Sequence, residues 1–307
     1  MNKSILILIA LVFITLFSKA QQKDVNAIIE EGAKLSKSGQ YLDAIAKFEA
    51  ALKIDPKNDI WQYQLSYNYF KAGSRKKAID IMENNLRSSK NYLGKKYALL
   101  GTMYEDEGQP KKADESYMAG IKAEPDYDLN YYNLAMLCQS KGEYANAEKW
   151  AKESIKRASN NADASLIYMH AVYSQNKFSN AFLAACNFLL IEPDTETSKE
   201  VLEILAAAMK QLNKDKADPD VQKAEEQFKY IITAINSQVN KSAPPNDFFK
   251  KFYVDYFYSM YQSGHLPVVC KIVLMSINPQ AAEQWASDNT AKVQAFRTWV
   301  RNNPRKL

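Results

Sequence analysis

Two histidines and three cysteines are the only imidazoles and thiols in this chain of 307 residues, and the question of chemistry starts with them. Nucleophilic catalysis needs a Ser or Cys, a base to take its proton and an acid to orient the base. His170 and His265 could serve as that base, but neither stands in a catalytic motif. His265 lies five residues before Cys270, which raises a Cys/His pair; a turn residue beside a buried thiol accounts for the same spacing and is the reading we take. Cys138, Cys186 and Cys270 include no close pair, so they form neither a zinc site nor a disulfide framework. Inert buried thiols are expected, with a single bridge as the alternative. No H-E-x-x-H, Gly-rich phosphate loop or C-x-x-C occurs, and the carboxylates are spread over helix faces as partners of Lys. No catalytic residue, metal or cofactor is therefore expected, and an enzyme hidden in residues 196–307 is the weaker alternative.

The elements that would position any site are helices. Only nine Gly and ten Pro occur, Ala, Lys, Leu and Glu are plentiful, and no all-β pattern is present. With 47% hydrophobic and 24% charged residues, the chain falls among globular proteins, with room for one large or two medium domains.

Residues 1–20 have the layout of a signal peptide: Lys3, an apolar run from Ile5 to Phe17, then Ser18-Lys19-Ala20 before the expected cut. The run is shorter than the roughly 20 residues that span a membrane, so no insertion after cleavage is expected; an uncleaved anchor is the alternative. Removing Lys3 and Lys19 takes the formal charge from +5 to +3, with 38 basic and 35 acidic residues left. That balance argues against nucleic acid as a partner. Export, to a periplasm or beyond, is the expected localisation.

A period runs through the next part. "SGQYLDAIAKFEAAL" returns as "AGSRKKAIDIMENNL", "EGQPKKADESYMAGI", "KGEYANAEKWAKESI" and "QNKFSNAFLAACNFL". Ala44, Ala78, Ala113, Ala147 and Ala181 are spaced by 34, 35, 34 and 34 residues, and Gly39, Gly73, Gly108, Gly142 and Asn176 keep the same steps. Such regularity marks a repeat array. Upstream of each turn a second helical pattern recurs, clearest in Tyr97, Leu100, Gly101 and Tyr104 and in Tyr131, Leu134 and Ala135.

These residues, with Phe48 and Pro56, Tyr117 and Pro125, and Pro193, resemble the tetratricopeptide repeat (TPR) family. Lys90 and Ser159 replace the expected Pro, and copy five has His170 and Tyr173 in a loosely matched first helix. The copies span 25–58, 59–92, 94–127, 128–161 and 162–195 within an array at 25–195. The resemblance implies an all-α fold, a right-handed superhelix or α-solenoid whose first helices line a concave face. A lone hairpin leaves one apolar stripe wet, and the next copy covers it. Residues 196–240 are expected to form a degenerate helix pair and 246–303 an aromatic-rich helical cap with Trp285, Phe296 and Trp299.

The resemblance also implies a non-catalytic scaffold or assembly factor that binds a peptide or protein segment in the concave groove. The first-helix faces place there Tyr63, Gln64, Tyr67 and Phe70, then Thr102 and Glu105, then Tyr132, Asn133 and Met136, then His170 and Tyr173. Aromatic anchors beside amides suit apolar side chains and backbone groups of a partner; packing of the same aromatics on neighbouring copies is the alternative. Ile29 and Tyr63 occupy places where a clamp for a terminal carboxylate would want cations or amides. A self-associating spacer is the rival role, leaving homo-oligomerisation open.

Overall fold

The structure, a computed structural model, describes residues 25–192, 195–212, 221–273 and 279–305. The signal-peptide segment 1–20, Pro193 and the loop 213–220 lie outside the described residues. Among those described there are helices and no strands. Five hairpins come first: α1 (25–37) with α2 (Tyr41–Ile54), α3 (Asp59–Lys71) with α4 (Arg75–Ser88), and α5 (Leu93–Asp106) with α6 (Pro110–Ala123). Then come α7 (Asp128–Ser140) with α8 (Tyr144–Arg157), and α9 (Ala162–Ser174) with α10 (Phe178–Ile191). They are followed by α11 (Glu196–Leu212), α12 (Val221–Ser242), a π-helical turn Lys250–Val254 running into α13 (Asp255–Gln262), and α14 (Leu266–Val273). The last helices are α15 (Pro279–Asp288) and α16 (Thr290–Asn302).

Each repeat is stopped at its midpoint by the same device. Gly39, Gly73, Gly108 and Gly142 take φ between 68° and 82°, and Asn176 takes 58°. The N–H that follows then donates to the carbonyl five residues back: Gln40 to Leu35 at 2.9 Å, Ser74 to Tyr69 at 2.8 Å, Gln109 to Tyr104 at 2.8 Å, Glu143 to Cys138 at 2.9 Å and Lys177 to Val172 at 2.9 Å. This bond occupies a carbonyl that the helix end leaves unpaired, and it needs a left-handed residue to form. Glycine supplies that conformation freely, and asparagine is the next most tolerant residue.

Close approach of the two helices depends on matched sizes. Gly101 faces Tyr117 so tightly that an added Cβ would lie 2.3 Å from the ring, and Gly32 faces Phe48 at 3.3 Å. At the same two positions the later copies carry Ala135 with Ala151, then Met169 with Ala185, all fully buried. A large residue on one helix thus goes with a small one on the other, or both are small.

The described residues divide into two compact units, Met1–Asn130 and Tyr131–Leu307, of which 1–24 and 306–307 lie outside the description. In the first unit, helices pack on their chain neighbours, α3 on both α2 and α4 and α5 on both α4 and α6. Polar rungs tie one copy to the next: the Tyr69 hydroxyl donates to Glu49 at 2.5 Å and the Tyr104 hydroxyl to Glu83 at 2.5 Å. Asn130 likewise donates to the Gly94 carbonyl at 2.9 Å, while within copy two Asn85 donates to that of Asp59 at 2.6 Å. The ammonium of buried Lys96 is matched by Asp59 at 3.2 Å and Ser89 at 3.0 Å, as a buried charge requires.

The second unit holds copies four and five and everything after them, and its core is continuous. α10 packs on α9, α11 and α14, while α12 packs on α13 and α14. Tyr168 of the fifth copy stacks on Tyr253 with centroids 5.5 Å apart, and Phe182 meets Phe228 edge-on at 5.2 Å. The aromatic C-terminal segment therefore lies against the last regular copy and shares its core, beside α11.

Candidate protein-binding face

The expected groove residues sit on first helices, and each unit presents its own set. In the first unit Tyr63, Gln64, Tyr67 and Phe70 of α3 are all half-buried. Tyr63 is the centre of this set: the Lys95 ammonium lies over its ring at 4.8 Å, and Tyr67 and Tyr127 are near enough to act on its hydroxyl. Burial first, and those two tyrosines second, push that hydroxyl far above its ordinary value, so it remains a neutral donor. Ile60, one turn earlier, is half exposed, and Lys71 approaches Tyr67 at 6.0 Å. The face thus combines apolar rings with cations.

Thr102 and Glu105 of α5 are instead engaged within the fold. Thr102 donates to the Ala98 carbonyl at 3.0 Å, and Glu105 accepts from the Tyr117 hydroxyl at 2.5 Å. The carboxylate of Glu105 thus anchors the tyrosine that fills the notch at Gly101.

In the second unit Met136 of α7 stands out, exposed among buried neighbours. Tyr132 is half-buried against the core, its hydroxyl raised above the ordinary value by burial and then by Asp163. Asn133 is buried at 8% exposure and offers little to a partner. On α9, His170 lies 3.6 Å from Glu200, but burial lowers its pKa below the usual imidazole value, so the imidazole is mainly neutral at pH 7 and makes no full ion pair. Tyr173 meets Phe178 edge-on at 5.9 Å, inside its own hairpin. The residues brought together as a surface are therefore mainly those of α3, with Lys95, Lys71, Ile60 and Tyr127 added. The spacing rule that found Tyr63 could have found Lys95, which stands on the same face one repeat later; Tyr127 belongs to a loop and had no periodic signal.

The candidate thiol chemistry is closed off. Cys138, Cys186 and Cys270 are buried, and burial, with Glu225 second, raises the Cys270 thiol to about 12. His265 packs instead between Phe296 at 5.9 Å and Trp299 at 5.6 Å. Among the described residues no group of three His, Cys, Asp or Glu could hold a metal ion, and no helix is long and apolar enough to cross a membrane.

Comparison with known proteins agrees with this architecture. Tetratricopeptide repeat family models match residues 35–85, 97–127 and 130–161. A curated relative, tetratricopeptide repeat protein 8 of Caenorhabditis elegans, is 29% identical over 104 residues, 34% of this chain and only 20% of that protein. The chain therefore spans about a fifth of that relative's length. Among solved structures, Pseudomonas aeruginosa pilF is similar with a TM-score of 0.55 at 14% identity, covering 78% of this chain and 99% of that one. The C-terminal part of a TPR repeat-containing protein from Cytophaga hutchinsonii gives 0.53 at 13% identity, covering 83% and 98%. At such identities the likeness concerns the fold. The chain thus carries tetratricopeptide repeats, set in an all-α solenoid of stacked helix pairs.

Proposed function

We propose that this protein is an exported, non-catalytic scaffold of the cell envelope that holds a peptide or protein segment on the first-helix face of its repeats. The supporting observation is the α3 face, where Tyr63, Tyr67 and Phe70 keep part of their rings at the surface beside Lys95 and Ile60. Rings held by their own helix lose little freedom on binding, so they anchor a partner at low entropic cost. Cations beside them favour a segment that carries acidic residues next to its apolar ones.

Replacing Tyr67→Ala together with Phe70→Ala in the full chain is expected to abolish co-purification of the partner identified by affinity capture and mass spectrometry. The two side chains are partly solvated, so stability should change by less than about 2 kcal/mol. Binding that survives in the folded double variant refutes the reading. Export has its own check: the N-terminal residue of the mature protein, read by mass spectrometry, is expected to be Gln21. An intact Met1 in envelope-associated protein would instead establish an anchored form.

A further inference from the structure

Arg305 follows α16 where the backbone is already tied down. The Asn303 N–H and its side-chain amide both donate to the Trp299 carbonyl, at 2.9 Å and 2.8 Å, and Pro304 then fixes its own φ. The Arg305 guanidinium lies on the aromatic segment, its carbon 4.5 Å from the Tyr256 centroid and 5.3 Å from that of Phe252. Trp299 meets the same Tyr256 ring at 5.5 Å.

No counter-charge stands beside this cation. Among the described residues no carboxylate pairs with Arg305, and its Nε is buried without an acceptor. The groups near enough to act on its charge are the hydroxyls of Tyr256 and Tyr253. Burial pushes both hydroxyls above their ordinary value, so they stay neutral phenols and supply no negative charge. The two acids of the aromatic segment are engaged elsewhere, Asp255 with the Lys250 ammonium at 2.9 Å and Asp247 with the Lys250 backbone N–H at 2.9 Å. Burial also lowers the pKa of Arg305, but a guanidinium starts so high that it stays charged at pH 7. The two ring faces recover part of the cost of burying that charge, and its N–H donors still call for an anion.

We propose that Arg305 is the receptor of a carboxylate-binding site, in which an external carboxylate accepts from the guanidinium beside the Tyr256 and Phe252 rings. Charge and shape select that ligand. One positive charge is neutralised by a monoanion, whereas a dianion leaves a surplus negative charge against ring faces that repel it. The planar fork of the guanidinium offers two parallel N–H groups to the two oxygens of a carboxylate. Arg305 as a residue is only half-buried, so a small solute reaches it from solvent. The same chemistry belongs to a free organic acid and to an Asp or Glu side chain of a peptide.

The test follows the Trp299 indole N–H of the full chain by NMR at constant ionic strength, the resonance being assigned with Trp299→Phe. The probes are acetate and the peptide acetyl-Ala-Glu-Ala-amide. At least one should shift that resonance saturably at millimolar concentration. Arg305→Gln should weaken the binding by about tenfold or more. Arg301→Gln, which removes the same charge from an exposed site four residues earlier, should change it by less than about twofold. Tighter binding of the peptide assigns the site to partner side chains, and equal or weaker binding assigns it to free acids. The proposal is overturned if acetamide shifts the resonance as acetate does, if neither carboxylate saturates, or if Arg305→Gln binds as the parent does. Circular dichroism checks that each variant is folded, and the acetamide comparison, made on the parent chain, stands whatever the variants do.

Discussion

Glu148 shows how a single buried charge ties one repeat to the next. Burial by itself would raise its pKa, yet hydrogen bonds from Lys152 at 2.6 Å, Lys177 at 2.5 Å and Gln175 at 2.9 Å hold the carboxyl below its ordinary value of 4.5. A carboxyl whose folded pKa is lowered contributes stability above its unfolded pKa and loses it as the pH falls through the folded one. Glu148→Gln should therefore cost about 2 kcal/mol at pH 7, a sum of charge-assisted hydrogen bonds partly open to water. In urea melts the gap between variant and parent should narrow below pH 4.5 and close in stronger acid. A gap independent of pH would assign the loss to packing. His170 acts in the same direction near neutrality: its imidazole pKa is lowered by burial, so stability falls as the pH drops below 6.5.

At the scale of the element, the turn residues decide where helices end, and two positions should respond in opposite ways. Tyr92 precedes α5 with φ of 53°, although 60% of it is exposed, and the left-handed region is costly for a residue with a Cβ. Tyr92→Gly should stabilise by about 0.5 kcal/mol, the relief being partly offset by the freedom glycine gains when unfolded. Gly108→Ala, at φ of 68° with no atom near an added Cβ, should destabilise by about 1 kcal/mol. Thermal melts of the two variants, shifted in opposite directions, check both. The five hairpin turns were legible in the sequence because a backbone requirement selects glycine at a fixed step. The strain at Tyr92 was not, because no residue type advertises it. The engagement of Thr102 and Glu105 is hidden for a related reason: periodicity places a residue on a face but does not reveal an internal bond such as that from Tyr117.

Across the molecule, apolar burial is unevenly distributed. One core cluster runs from Ala135 through α9, α10 and α12 to Phe296, whereas the first unit buries fewer apolar side chains, Phe48, Met82 and Tyr117 at the pairing positions among them, and adds polar rungs between copies. Local stability follows buried contact density, so hydrogen exchange should be slowest in α9, α10 and 252–260 and fastest in α1. Uniform protection along the chain would show that all repeats open together. The sequence made the helical class and the array legible, since five in-phase copies carry that information many times over. The α3 surface was only partly legible, because Tyr127 joins it from a loop, through folding and not through the repeat.

The matched sizes at the hairpin waists make the copies non-interchangeable. Grafting the first helix of copy five in place of that of copy three would drive Met169 into the space that Tyr117 holds against Gly101. The reverse graft would leave a glycine opposite Ala185 and a hole between them. A lineage that lengthens this protein by duplicating coding segments can therefore do so cheaply only in whole hairpins, and recombination cutting between the two helices of a copy is selected against by packing alone.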